Sequence, residues 1–466
     1  MRRAAFIIEA PRTASLRALN YDQQVEALKI SKGRKFRATP LNSLLQSLGA
    51  SYSQVFTRLD CSENHGVELI SQADMFAAEP AGRIIRRDSM PNSIDHEVQR
   101  WQLLIAGAGQ MGEGNLFGRS IIADGRLTGK FLGGDAVDLI FKEPGGDLNL
   151  WTYAFLNTSL GMRAVRACAY GTSIPHMRLD LLGEVPIPLP EDEALLQRVA
   201  ELVRNCVIHR ELYLRELHNA REVIEDLPEM RTAYDLCAER KAHVVCWTGE
   251  LPTLCAWNFA STGGALSYLS KEWSGRIGDA VAPEKIFRGG RYSRVACDPP
   301  FGVDLLSQRD VFAIRPMPRR IVLPNIRSDL IRVPTFSLLA GGQGTLGEGE
   351  LFGQIALVTP DIASAAISEH LLRIQPRSHE IASLLYAYLS SMVGKRLLRS
   401  TGVGTKLLGL RPDLVLRLPL PAIDDGKLAA VFAHVTRATI ARTTAVRCEA
   451  EAFQIIEQEV LPLWLA

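Results

Sequence analysis

The chain has 466 residues, 47% of them hydrophobic and 22% charged, with a formal net charge of +2. That length is too great for one ordinary core, so two or more domains are expected, with the composition of a soluble globular protein. No apolar run approaches the roughly 18–20 residues of a membrane span, which argues against an integral membrane protein. The near-neutral charge leaves nucleic acid open as a partner, since other subunits can supply part of the phosphate neutralisation.

The opening Met1–Ile8 is basic and then apolar. Its apolar stretch is too short for a signal peptide and is interrupted by Glu9, so a cytoplasmic protein is expected. The eight cysteines include no C-x-x-C pair, and the nine-residue spacing of Cys237, Cys246 and Cys255 is not a zinc-ligand interval. Free thiols and no metal site are expected. Leu103–Ala106 reads as a short buried strand, residues 150–167 as a helix, and Pro186, Pro188 and Pro190 as the stop of a globular part.

The same order then recurs. Residues 66–77 return as 302–313 with eight of twelve positions identical, and 112–118 return as 347–353 with six of seven identical. Gly171-Thr172 returns as Gly404-Thr405, and Val185-Pro186-Ile187-Pro188 as Leu418-Pro419-Leu420-Pro421. Near-constant offsets across more than a hundred residues, with a period of half the chain, identify a duplicated domain, not a solenoid of short units. Within the second copy, Leu338–Ala340 reads as the strand and residues 381–398 as the helix.

A long stretch follows each proline stop. In the first, Val199, Val203, Cys206, Arg210, Tyr213, Leu217, Ala220, Ile224 and Leu227 alternate spacings of four and three. This is a coiled-coil seam in which only Arg210 is not apolar. No Gly or Pro breaks it, and about 35 helical residues would make a rod on the order of 50 Å. In the second, Leu428, Phe432, Val435, Val446, Phe453, Ile456 and Val460 keep a similar register, weakened by Thr439, Arg442 and Glu449. Two such stripes can bury each other as an antiparallel pair, or each can lie separately as a surface helix.

Residues 170–177 (Tyr-Gly-Thr-Ser-Ile-Pro-His-Met), with Leu179-Asp180-Leu181 and Val185-Pro186-Ile187-Pro188-Leu189-Pro190, resemble the end of a target recognition domain in the specificity subunits of type I restriction–modification enzymes. The upstream Leu103–Gly107 and Phe117-Gly118-Arg119 are similar to that family's hairpin. The segment Thr401–Leu407 is its second-copy counterpart without the Ile-Pro-His. The family's usual Pro-Pro-Leu-Glu-Glu-Gln helix start is replaced by Glu191-Asp192-Glu193 and by Asp424-Asp425.

The resemblance implies an α+β fold: two homologous target recognition domains of mixed α/β structure with glycine-rich β-hairpins, separated by long coiled-coil-like helices with pseudo-twofold symmetry. The boundaries are 1–190 and 229–421 for the domains, and 191–228 and 422–466 for the helices. It further implies a non-catalytic chain that recognises a bipartite site in double-stranded DNA. Its partners would be two methyltransferase subunits, with motor–nuclease subunits in the full enzyme. S-adenosylmethionine would sit on those partners and no cofactor on this chain.

Other motifs invite other answers. Gly107–Gly112 and Gly342–Gly347 match G-x-G-x-x-G, but a second pair of glycines follows and no helical stripe, so a β-hairpin is expected rather than a dinucleotide site. Asp298-Pro299-Pro300-Phe301 matches the catalytic tetrapeptide of adenine methyltransferases yet has no equivalent in the first copy, and a Pro-Pro turn is expected. Pro412-Asp413 with Asp425-Gly426-Lys427 resembles a nuclease core, but the span crosses from the proline stop into a helix. An enzyme using Asp298 or Asp413 therefore stands as a rival. So do a DNA-recognition module of another anti-phage or DNA-transaction complex, and a pure interaction scaffold.

Arg and Gln suit bidentate contacts to guanine and adenine, and Lys and Thr suit phosphate. Candidate DNA-facing residues are Gln110, Arg119, Lys130, Thr172, Ser173 and Arg178 in the first copy, and Gln343, Gln354, Thr405 and Lys406 in the second. The expected helix-pair seam comprises Val199, Val203, Cys206, Tyr213, Leu217 and Ile224 with Leu428, Phe432, Val435, Phe453 and Ile456.

Overall fold

The computed structural model describes Asn20, Val25, Asn258 and residues 36–50, 57–90, 97–112, 114–171, 173–238, 263–298, 300–322, 328–347 and 349–465. The chain divides into two compact units: Met1–Glu211 with Thr444–Ala466, and Leu212–Thr443.

In the first unit the run Leu103–Ala106 is wholly buried, as expected of a strand covered on both faces. It pairs antiparallel with Ser120–Ile122 on one side and Ala136–Phe141 on the other, and Leu45–Ala50 completes a four-stranded sheet. A smaller sheet pairs Gly66–Ile70 antiparallel with Arg83–Arg86 and parallel with Phe131–Leu132. The proline stop is itself a strand, Pro186–Pro190, antiparallel to Phe36–Pro40. Its alternate prolines put the missing N–H groups on one edge of a two-stranded sheet, where no ladder donor is required. The Trp151 indole N–H closes this region by donating to Pro188 O at 2.8 Å.

The second unit repeats this plan. Ile286–Arg288, Leu371–Ile374, Leu338–Gly341 and Ile355–Leu357 form the four-stranded sheet in the same order. Val303–Leu306 pairs antiparallel with Arg319–Ile321 and parallel with Ala366–Ile367. The match extends to single bonds. Ser71 and Ser307 each donate their backbone N–H to the aspartate three residues on, at 2.8 Å in both copies. Trp101 (φ 72°) and Phe336 (φ 61°) are the non-glycine residues with left-handed backbone among those described, and they occupy the same position of the two copies. Each is held by an N–H bond of 2.9 Å, Trp101 to Ala123 O and Phe336 to Val358 O.

The helix expected over 150–167 is two helices, Asp147–Leu156 and Ser159–Arg166. Likewise 381–398 divides into His379–Ser390 and Met392–Ser400. The reason lies in Thr158 and Ser391, whose hydroxyls accept from the N–H of Gly161 and Gly394 at 3.0 Å and so start a new helix in each copy. Apolar periodicity ran through both breaks and concealed them.

The two long seams are helical, Glu193–Glu225 and Asp425–Ile455. The second passes through a widened turn at Ile456–Val460, next to Pro462, whose missing N–H cannot continue the regular ladder. In each unit, segments of the two run antiparallel. In the first unit Val199, Val203 and Cys206 are buried with Ile456, and Cys206 clusters with Ala445 and Cys448. In the second, Tyr213, Leu217, Ile224 and Val435 are buried, while Leu428 and Phe432 are half-buried. Phe453 meets the ring of Tyr153 edge-on at 5.9 Å, and Phe432 lies 6.3 Å from the ring of Phe336, so both reach toward the domains and not only along a helix pair.

The residues that break the apolar seam carry charge into it. Arg210 is buried and donates through Nη2 to Glu449 Oε2 at 2.7 Å, while the Tyr153 hydroxyl donates to Glu449 Oε1. In the second unit buried Arg442 meets Asp361 at 3.2 Å and lies over the Tyr213 ring. Glu216 Oε2 lies 2.8 Å from both His434 Nδ1 and Arg437 Nε. Removing one partner of a buried pair leaves a charge without compensation and costs about 3–5 kcal/mol, whereas replacing both by apolar residues costs far less. Glu449→Ala is therefore expected to destabilise the first unit by about that amount. The double variant Arg210→Met/Glu449→Met is expected to recover most of it. Urea unfolding followed by hydrogen exchange of the 199–210 amides checks both.

Burial opposes ionisation of Glu216, but its hydrogen bonds to His434 and Arg437 outweigh it and hold its pKa below the usual 4.5. A lowered folded pKa contributes stability that is present above about 4.5 and lost as pH falls through the folded value. Stability measured from pH 6 to about pH 3 is expected to fall less steeply for Glu216→Gln than for the parent chain. Equal slopes would exclude this linkage.

Candidate nucleic-acid interface

In both copies the G-x-G-x-x-G segment links two antiparallel strands, Leu103–Ala106 to Ser120–Ile122 and Leu338–Gly341 to Ile355–Leu357. It is a hairpin loop and no helix starts at its glycines. The Gly-Thr segment is likewise a hairpin, between Ala169–Tyr170 and His176–Met177 in the first copy and between Gly402–Val403 and Leu408–Leu410 in the second. The two loops, about 65 residues apart in the chain, are bonded together in each unit. In the first, Gly109 N–H donates to Pro175 O at 3.1 Å and Met177 N–H to Gly107 O at 2.9 Å. In the second, Gln343–Gly344 pairs as a strand with Leu408–Gly409, and Leu410 N–H donates to Gly342 O at 3.1 Å.

Two side chains complete each loop pair. Gln72 Nε2 donates to Ala108 O at 2.7 Å, and Gln308 Nε2 to Gln343 O at 3.1 Å. Arg166 donates from Nε to Phe117 O at 3.1 Å and from Nη2 to Gly112 O at 2.9 Å. Arg399 donates from Nε to Phe352 O at 2.8 Å and from Nη2 to Glu350 O at 3.0 Å. Gly118 (φ 80°) and Gly353 (φ 72°) pass under these arginines, where an added Cβ would meet Arg166 Cγ at 2.8 Å or Arg399 Cγ at 2.5 Å. Both the backbone conformation and the space therefore demand glycine. The near-identical repeat 112–118/347–353 is thus a structural fixture. Arg166 and Arg399, which sequence reasoning passed over, are its anchors. Their signal was present as two arginines at matching places near the ends of the two predicted helices.

The nominated residues fall into three groups. Gln110, Ser173, Thr405 and Lys406 are exposed on the loop pairs. Thr172 lies outside the described residues. Arg119 and Gln354, at the same position of the two copies, bond inward to Asn115 O (3.0 Å) and Glu350 O (3.2 Å). Gln343 takes the place of Ala108 rather than of Gln110, whose true counterpart is Thr345. The Gln343 side chain lies 2.6 Å from His370 Nδ1. Arg178 is engaged by Asp180, and the matching Arg411 by Asp413. Hydrogen bonding to those guanidiniums lowers both carboxylate pKa values. The Lys130 ammonium is paired with Glu68 on the smaller sheet and is not on the loop pair.

An open cavity of about 640 Å³ lies beside the loop pair of the second unit, lined by Phe287, Arg288, Gln343, Val403, Leu407 and Arg411 among others. Burial lowers the pKa of Arg288, which donates to Gly342 O and Leu410 O at 2.9 and 2.8 Å. Phe301 N–H donates to Asp298 O at 3.1 Å, and Pro299 of this motif lies outside the described residues. Asp413 sits in the short helix Pro412–Leu416, and Asp425 opens the long one. Among the described residues no three His, Cys, Asp or Glu side chains come together as a metal site, and no helix is long and apolar enough to cross a membrane.

Fold and site together define a duplicated α+β protein with long helical segments, each copy presenting one bonded pair of loops. No family model matches the chain, and no curated protein matches it. Among solved structures it is similar to the S subunit of a type I restriction–modification system from M. genitalium, at 12% identity over 94% of this chain and 98% of that one, with a TM-score of 0.28. It is also similar to the HsdS subunit from Thermoanaerobacter tengcongensis (13% identity, 93% and 97% coverage, TM-score 0.26). A third similar structure concerns complex assembly and conformational transition of the type I R-M system (13%, 93% and 98%, TM-score 0.27).

Because Gln72 joins the two loops through its amide, Gln72→Ala is expected to raise hydrogen exchange at Gly107–Gly109 and Met177 while leaving the urea midpoint of the first unit nearly unchanged. An unchanged exchange pattern would remove this glutamine from the loop assembly.

Proposed function

We propose that the chain is a specificity subunit that reads a split site in double-stranded DNA, one half-site per domain, and performs no chemistry of its own. One observation carries this reading: the two copies share the hydrogen bonds that hold their loop pairs, but differ at the exposed tips. Where the first copy presents Gln110, the second presents Thr345. A constant scaffold with unlike tips is what two readers of unlike half-sites require, since backbone contacts set register and tip side chains carry the sequence information. The motif resemblance of residues 170–190 to type I target recognition domains supports the same reading.

On this reading the long helices scaffold methyltransferase subunits, with motor–nuclease subunits in the full enzyme, and S-adenosylmethionine belongs to those partners. The buried ion pairs favour one register of the helical segments within each unit. Methylome sequencing of the host with and without the gene is the direct test. Loss of a single bipartite motif is the expected outcome, and an unchanged methylome would overturn the methyltransferase assignment.

Lys406 is exposed on its loop and suited to a phosphate. Lys406→Ala is expected to weaken binding to all duplexes alike and to reduce the salt slope, log K against log salt, by about one. Unchanged affinity and slope would take Lys406 off the DNA.

A further inference from the structure

The two smaller sheets have one backbone plan and opposite charge. Residues 57–101 of the first copy hold five arginines and eight acidic residues, whereas the equivalent 293–336 hold seven arginines and four acidic residues. Two of the differences leave guanidiniums without a partner at one end of the second sheet.

The first is at Arg319. Its counterpart in the first copy is Arg83, which is paired with Asp60 at 2.8 Å. Asp60 is bridged to Ile85, and Ala296 is bridged to the matching Ile321, so alanine stands where the carboxylate stood. Arg319 is exposed, and among the described residues its side chain has no ionic or hydrogen-bonded partner. The second difference is Arg309, which replaces Ala73 and is likewise exposed and unpartnered among those residues. The acids nearby are already used. Asp310 accepts from the N–H groups of Ser307 and Met317, and Glu369 is paired with Arg294.

Topology puts these two arginines together. Arg319 is in register with Leu305, and the chain beyond Leu306 turns directly into Ser307-Gln308-Arg309. Both therefore lie at the same end of the smaller sheet. That end is tied to the loop pair, because Gln308 donates to Gln343 O. Nothing in the fold of the unit uses either guanidinium. A guanidinium offers paired donors to phosphate oxygens. When loop tips reach base edges, the phosphates of the two strands flank them, so cations at the root of the loops meet the backbone.

We propose that the end of the second smaller sheet bearing Arg309 and Arg319 is a phosphate-binding surface, gripping the DNA backbone beside the half-site read by that unit, and that the first unit has no counterpart. This rests on the DNA-reading function proposed above and adds a division of labour to it. The contacts set register and carry no sequence information.

The test measures the affinity of the full chain, in the assembly in which it is isolated, for a mixed-sequence duplex over a range of salt concentrations. Each phosphate contact contributes about 0.9 to the slope of log K against log salt. Arg309→Gln is expected to reduce the slope by about one, and Arg309→Lys to keep it. Ala296→Asp, which restores the first copy's ion pair while leaving Arg319 in place, is expected to reduce it by about one as well. In the first unit, Ala73→Arg combined with Asp60→Ala is expected to raise the slope by about two. All these positions are exposed, so the cores stay as they are.

Unchanged slopes for Arg309→Gln and Ala296→Asp, with the parent chain still binding DNA, would overturn the proposal and leave DNA reading intact. A loss of subunit association in those variants with unchanged slope would assign the arginines to an acidic protein surface and overturn it too. An unchanged slope for the first-unit variant would remove the asymmetry on which the proposal stands. A parent chain with no salt-dependent affinity for duplex DNA would remove the DNA-reading function itself.

Discussion

The fold turns on how a glycine-rich loop satisfies its own backbone. Such a loop has neither a helix ladder nor a strand partner along most of its length, so its carbonyls must find donors elsewhere. In each unit an arginine from the second of two short helices supplies them: Arg166 caps Gly112 and Phe117, and Arg399 caps Glu350 and Phe352. A glutamine amide from the end of the smaller sheet ties the same loop from its other side. With both in place the loop becomes a platform to which the Gly-Thr hairpin adds as a neighbouring strand. Every surface feature assigned to recognition stands on that platform.

This explains which parts of the molecule could be read from sequence. Duplication was legible because the anchoring residues tolerate little change: glycine at 118 and 353, the Ser-x-x-Asp turn at 71–74 and 307–310, and the glutamine inside it. The strands at 103–106 and 338–341 were legible as apolar runs. The division of each predicted helix was not, because the switch is made by one hydroxyl, Thr158 or Ser391, inside an unbroken apolar stripe. Among the site candidates, chemistry alone could nominate Arg178, Lys130 and Arg119, but only coordinates show that Asp180, Glu68 and Asn115 O already occupy them. Side-chain type marks the capacity for a contact; its availability depends on neighbours distant in sequence.

The helical segments show a related lesson. Arg210, Arg442 and Glu449 looked like defects in a hydrophobic seam. Each is instead buried against a partner of opposite charge, Arg210 with Glu449 and Arg442 with Asp361. An apolar seam alone permits sliding by a heptad, whereas a buried ion pair admits one alignment and makes its neighbours costly.

One difference between the copies bears on how such a protein can change. At the loop following the edge strand, the first unit has Asp124 and Arg126 paired with each other, and presents the Gly125 N–H to Glu211 at 2.9 Å. The second unit has Thr359 and Asp361 at the matching places, and Asp361 faces Arg442. A gene conversion that copied the domain of residues 1–190 over residues 229–421 would replace Asp361 and leave the buried Arg442 without its carboxylate. The halves share an ancestor's scaffold but are no longer interchangeable parts. New combinations of recognition would have to arise by exchanging each half with its own counterpart in another chain.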